Sequence, residues 1–159
     1  MRPSLRVTVV TVTLVVLHFF LRLGLGLGGT PDLLTLALLV VARELPMGAA
    51  AGVGLVFGTL EDALSPLAFG GSAIAMCLVG VAGSRSRDLF VGDSLIFLAS
   101  YLLLGKWVRD LIQWMVVGEG VREPFVDVVL VQAPFAAIYL MVVGVLAVAA
   151  TGSWWETAR

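Results

Sequence analysis

The chain has 159 residues, 60% apolar and 13% charged, with ten basic and eleven acidic side chains and a formal net charge of -1. An ordinary globular chain is roughly 45–50% apolar and about 25% charged, and a mean hydropathy of +1.06 exceeds what one buried core of this size hides, so the surplus points to lipid. The balanced charge excludes the strongly basic face that nucleic acid requires, and the lone cysteine, Cys77, excludes an internal disulfide.

The expected architecture is all-α: a polytopic membrane bundle of about six transmembrane helices forming one domain over residues 1–159. The first span covers 5–24. Its apolar stretch Val7–Leu23, 17 residues long, exceeds a secretory h-region and lacks a small-residue cleavage site, so it reads as a retained helix. Gly24, Gly26, Gly28 and Gly29 end it in a turn. Thr30-Pro31-Asp32 reads as a helix start, with a hydroxyl cap, Pro31 at the first helical position and the Asp32 carboxylate complementing the dipole. The second span, 31–45, has 15 residues, about 22 Å of helix against a hydrocarbon core near 30 Å. It therefore needs shielding by its neighbours or a locally thinned bilayer, and a re-entrant pair with the fourth span is an alternative.

The third span, 47–64, carries Gly48 and Gly52, then Gly54 and Gly58, two pairs each spaced by four. Small faces allow close helix approach, the main source of packing energy in lipid, which places this helix at the centre of the bundle. The fourth span is 70–83, and Ser84-Arg85-Ser86-Arg87-Asp88 reads as a loop. The fifth, 89–117, is 29 residues and too long to cross without tilt. The sixth is 125–150 and contains Pro134; Trp154 and Trp155 follow it as interfacial anchors. With both termini cytoplasmic, the inner side receives Arg2, Arg6, Arg43, Arg85, Arg87 and Arg159 and the outer side Arg122 and Arg22, which agrees with the positive-inside rule.

No catalytic constellation is visible. The sole histidine, His18, adjoins no nucleophile or carboxylate motif. One His and one Cys make a metal site improbable, no phosphate-binding loop is present, and no cofactor is implied. The sharper signal is charge inside apolar spans, where each ion costs about 2.5–3.5 kcal/mol at the bilayer centre. Lys106, Arg109, Asp110 and Gln113 share one face of the fifth span. Asp110 pairs with Lys106 locally, and Arg109 is left to seek an acid from another helix, Glu61 or Asp62 at the end of the third span. The plainer alternative is a set of snorkelling side chains at the outer interface. Thr11, His18 and Arg22 form a polar stripe on the first helix, read as bundle-facing in preference to a proton relay. Trp107 and Trp114 read as packing aromatics.

Two stretches, Pro31-Asp32-Leu33-Leu34 and Gly54-Leu55-Val56-Phe57-Gly58-Thr59-Leu60-Glu61-Asp62-Ala63-Leu64-Ser65-Pro66-Leu67, followed by a small-residue fourth span closing in Arg85 and Arg87, resemble the MreD family of bacterial rod-shape-determining membrane proteins. The resemblance covers nearly the whole chain in layout. It implies a non-enzymatic scaffold of the cell elongation machinery in the inner (cytoplasmic) membrane, supporting cell shape and lateral peptidoglycan synthesis. It also implies direct binding to MreC, with MreB, RodA and a class B penicillin-binding protein in the same complex. The family is similar in fold to the six-helix substrate-binding subunits of energy-coupling-factor vitamin transporters. That similarity supplies the alternative, a small-molecule transporter subunit. Asp32 and Asp62 carry over best, without a catalytic duty.

Overall fold

Ten consecutive residues, Leu33–Ala42, contain nothing but leucine, valine, alanine and one threonine. A helix that is apolar on every side has no face to offer water, and it packs only where neighbours surround it. In the computed structural model, which describes residues 5–24, 32–64, 69–89, 95–120 and 122–151, it does so: all ten residues are buried. Six α-helices, and no strands, occur among the described residues. They are α1 (Leu5–Phe19), α2 (Leu33–Ala42), α3 (Met47–Asp62), α4 (Gly71–Leu89), α5 (Leu95–Val116) and α6 (Ala133–Thr151). The all-α expectation holds. Two helical runs, Leu5–Leu23 and Val126–Ala147, are long and apolar enough to cross a membrane.

The centre of the bundle corrects the sequence reading. It is α2, not the glycine-rich α3, of which only Ala50, Gly54, Gly58, Glu61 and Asp62 are buried. Small residues bring α3 close to one neighbour, but they do not surround it. Around α2 lie the buried Val7 and Leu14 of α1, Met76 and Val79 of α4, Leu98 and Leu102 of α5 and Leu140 of α6. At about 1.5 Å per residue α2 is only about 15 Å long, so both of its ends terminate among other helices and its orphan backbone groups must be met there.

The carbonyl end of α2 is met by side chains. Tyr101 Oη donates to Leu39 O at 2.8 Å, Ser84 Oγ to Leu45 O at 2.7 Å and an Arg87 nitrogen to Arg43 O at 3.4 Å. This corrects a second expectation: Ser84, Arg85, Ser86 and Arg87 are not a loop but the last turns of α4, which runs on to Leu89. Helix α4 is thus 19 residues, not a short span. The long fifth span shortens correspondingly, since α5 begins at Leu95 and has 22 residues. The sixth span, expected to run from 125 to 150 through Pro134, is indeed helical across the proline, but Val126–Gln132 is π-helical. Proline has no N–H for the ladder and crowds the carbonyl four residues back. The ladder accommodates it by widening, with Ala133 N–H donating to Val128 O. A second π-helical turn, Phe20–Gly24, extends α1 and carries Arg22.

Glycines set the tightest contact. A methyl group on Gly58 would collide with the Ala73 backbone and Ser72 O, one on Gly54 with Met76 O, and one on Gly80 with Ala50 O. Helices α3 and α4 therefore touch backbone to backbone. Gly48 and Gly52 behave otherwise, with nothing within 4 Å of their would-be methyl positions, and both are exposed. Of the two expected packing pairs, only Gly54 and Gly58 pack within the chain.

Candidate functional site

The N-terminal end of α2 is where the charges gather. Asp32 is its N-cap: one carboxylate oxygen accepts from Thr35 N at 3.0 Å and the other from Thr35 Oγ1 at 2.6 Å. The cap is therefore the carboxylate; Thr30 and Pro31, expected to share that duty, lie outside the described residues. A carboxylate there satisfies orphan N–H groups and complements the helix dipole, but so deep in the bundle it also needs cations. Helix α5 supplies two. Lys106 Nζ stands 3.2 Å from Asp32 Oδ2 and 2.6 Å from Asp110 Oδ1. Arg109 reaches Asp110 Oδ1 at 3.0 Å and Asp32 Oδ2 at 3.7 Å with one nitrogen, and Glu61 Oε2 at 2.7 Å with the other. Arg22 closes the set, 3.4 Å from Glu61 Oε1.

Three cations and three carboxylates from four elements thus form one network without formal net charge. Lys106 and Arg109 are 6% and 5% exposed, so neither is a snorkelling side chain. Ions so buried persist only when fully paired, because each would otherwise forfeit its hydration uncompensated. The Lys106–Asp110 pair was legible from helical spacing, while for Arg109 the sequence offered Glu61 or Asp62 on another helix, and Glu61 is the one it meets. Asp32 was read only as a cap, and its second role as the counter-ion of α5 was missed; so was the Arg22 contact.

Asp62 corrects the reading that grouped it with Arg109. Its carboxylate accepts from Gly70 N at 2.9 Å, Ser72 N at 3.0 Å and Ala73 N at 3.0 Å, and it is 1% exposed. Adjacent residues on a helix point about 100° apart, so Glu61 and Asp62 cannot serve one partner. Asp62 instead closes the first turn of α4, where backbone donors and the dipole favour an anion. Gln113 lies beside it, with Nε2 donating to Ser72 Oγ at 3.1 Å. Trp107 Nε1 donates to Val129 O at 3.0 Å, tying α5 to the π-helical turn, and Trp114 Nε1 donates to Glu123 O at 2.9 Å.

No family model matches this chain, nor does any curated protein or solved structure. The chemistry has to be read from the geometry. The network's carboxylates accept from cations and, at Asp32, from the backbone N–H and the hydroxyl of Thr35, a contact that caps α2. Among the described residues no three His, Cys, Asp or Glu side chains are grouped to hold a metal ion. Cys77 is a partly buried free thiol on α4. One cleft of about 360 Å³ opens beside the network, lined by Asp110, Gln113, Trp114, Arg122, Glu123 and Gln132 among others. Arg122 lies 4.7 Å over the Trp114 ring and donates to Met115 O and Val117 O, so its charge is spent on the carbonyl end of α5. The anchors Trp154 and Trp155, and Ser65 and Pro66 of the stretch that carries the resemblance, lie outside the described residues.

Proposed function

We propose that this chain is a polytopic scaffold of the MreD type, embedded in the bacterial inner membrane with six helices and both termini cytoplasmic. In this reading it binds the transmembrane helix of MreC and supports cell shape and lateral wall synthesis alongside MreB, RodA and a class B penicillin-binding protein. The observation that carries the reading is the division of labour on α3. One glycine pair, Gly54 and Gly58, is consumed by α4, while Gly48 and Gly52 stay open on an exposed face. Small residues spaced by four are what a second helix needs for close approach in lipid. Burial of α2 by its neighbours removes the difficulty of a helix too short to span.

The outer surface supports immersion in lipid. Val9, Val12, Val16, Phe20 and Leu23 on the α1 side, and Phe135, Ile138, Val142 and Leu146 on α6, are all exposed, far more apolar surface than water tolerates in one molecule. Charge is segregated by end: Arg43, Arg85 and Arg87 gather where α2 and α4 finish, and the neutralised network lies at the opposite end of α2. That distribution supports a cytoplasmic position for the arginine-rich end. The transporter-subunit alternative rests on the cleft beside Asp110, whose polar side chains converge as a ligand site requires.

Purification of the full chain from native membranes distinguishes the two. Recovery of a single-span coiled-coil periplasmic protein is expected, and Gly52→Leu abolishes it while the bundle still folds. Recovery of an ATPase-linked membrane partner with a bound vitamin refutes the scaffold. Cysteine labelling in a Cys77→Ala background tests topology: probes at positions 43 and 85 are reachable only from the cytoplasm.

A further inference from the structure

One buried titratable group has no part in the network. His18 is the sole histidine of the chain. It lies 4% exposed on the inward face of α1, and neither Nδ1 nor Nε2 has a hydrogen-bond partner. A neutral imidazole carries one N–H donor and one lone pair, and leaving both unmet away from water forfeits the hydration of each without compensation. Its ring stands edge-on to Phe19, at 5.4 Å between centroids. Burial of this kind is rare enough in native proteins to need a reason. The charged groups whose fields reach the ring are Asp32 at the head of α2, Glu61 of α3, Arg109 of α5 and Arg22 of its own helical run. Two are acids.

The acids differ in how much of their acceptor capacity is taken. Asp32 already serves Thr35, Lys106 and Arg109. Glu61 gives Oε2 to Arg109 at 2.7 Å, but its Oε1 has only Arg22, at 3.4 Å, and the Arg22 side chain is 35% exposed. The Arg22 contact is long and partly solvated, the kind of ion pair that contributes little. We propose that His18 is a proton-binding site that competes with Arg22 for Glu61: on taking a proton from water, the imidazolium donates to Glu61 Oε1 and Arg22 is released to the surface. No other bond changes. The exchange moves the tie between α1 and α3 by one helical turn, from the π-helical end at Arg22 to the regular helix at His18, and leaves Arg109 in place. The site does not rest on the scaffold reading, since it needs only the bundle and its network.

A single histidine makes the test direct. The full chain, labelled at histidine with carbon-13 and nitrogen-15 and reconstituted in phospholipid nanodiscs, gives one imidazole resonance to follow between pH 4 and pH 9. A single titration within that range is expected. Arg22→Gln removes the competitor and one repelling charge, and raises the midpoint by about one unit or more; Glu61→Gln removes the acceptor and lowers it by a similar amount. A ring that stays neutral down to pH 4 overturns the proposal, as does an unchanged midpoint in either folded variant. If Glu61→Gln does not fold, Arg22→Gln at its half-exposed position decides alone: a raised midpoint supports the exchange, and an unchanged or lowered one refutes it.

Discussion

Replacing Gly58 and Gly52 by alanine, one at a time, separates the two faces of α3 with the same chemical change. Both gain about 1 kcal/mol of helix propensity, so that contribution cancels in their difference. At Gly52 the new methyl meets nothing within 4 Å, whereas at Gly58 it meets the Ala73 backbone and Ser72 O. Neither obstacle is the flexible end of a side chain, so relief requires α3 and α4 to move apart. Overpacking of this kind costs about 1–3 kcal/mol, and separating two helices in backbone contact belongs at the upper end. The expected result is a Gly52→Ala chain at least as stable as the parent and a Gly58→Ala chain about 2–3 kcal/mol less stable than the Gly52→Ala chain, a roughly 30- to 150-fold difference in unfolding equilibrium. Denaturant titration of the purified chain in mixed micelles, followed by far-ultraviolet circular dichroism, measures it. Equal stability of the two variants would refute the backbone contact and with it the claim that only one glycine face is free.

The charged network gives the next expectation. Arg109→Gln leaves Glu61 and Asp32 under-neutralised in the interior and costs about 3–5 kcal/mol, whereas Arg22→Gln, at a half-solvated contact, costs under about 1 kcal/mol; comparable losses in the same titration would show that burial does not govern the network. Asp62→Ala strips the first turn of α4 of its acceptor and costs about 2 kcal/mol, with faster amide hydrogen exchange at Ser72 and Ala73 as the local sign. Charge reversal at Asp62 paired with reversal at Arg109 should not restore stability, because the two do not touch. Tyr101→Phe unties Leu39 O and costs about 1 kcal/mol, read as a lowered melting temperature.

The fold was legible where one chain segment decides the matter and opaque where two must meet. The apolar runs and the Lys106–Asp110 spacing follow from helical periodicity alone. The centre of the bundle did not, because glycine spacing marks a close contact on one face while burial on all faces depends on the other helices. Ser84 and Arg87 read as loop because serine and arginine are polar. Their partners are the carbonyl oxygens of Leu45 and Arg43 in the turn that follows α2, some forty residues earlier in the chain, and carbonyls leave no mark in a sequence. Glu61 and Asp62 are neighbours of the same charge with opposite assignments. Only the position of Gly70–Ala73 relative to α3 separates them.

These misses share a cause, and it accounts for the charges as well. Ending a ten-residue helix inside a bundle strands donors at one end and acceptors at the other where water does not compensate them. At the acceptor end, neutral or peripheral donors suffice: Tyr101, Ser84 and Arg87. At the donor end the cap is a carboxylate, Asp32, and once an anion is buried there Lys106 and Arg109 must follow, then Glu61 and Asp110 to balance them. The network is thus the electrostatic consequence of placing a short apolar helix at the centre. A sequence that lengthened α2 by two turns would remove the need for it, and Asp32→Asn in such a variant should be tolerated together with Lys106→Met, whereas Asp32→Asn alone in the present chain leaves Lys106 with only Asp110 as its acid. Thermal unfolding of the two variants against their parents would decide whether the short helix or a ligand is the reason the charges are there. If Asp32→Asn is equally harmful with α2 lengthened, the network exists for something other than the fold.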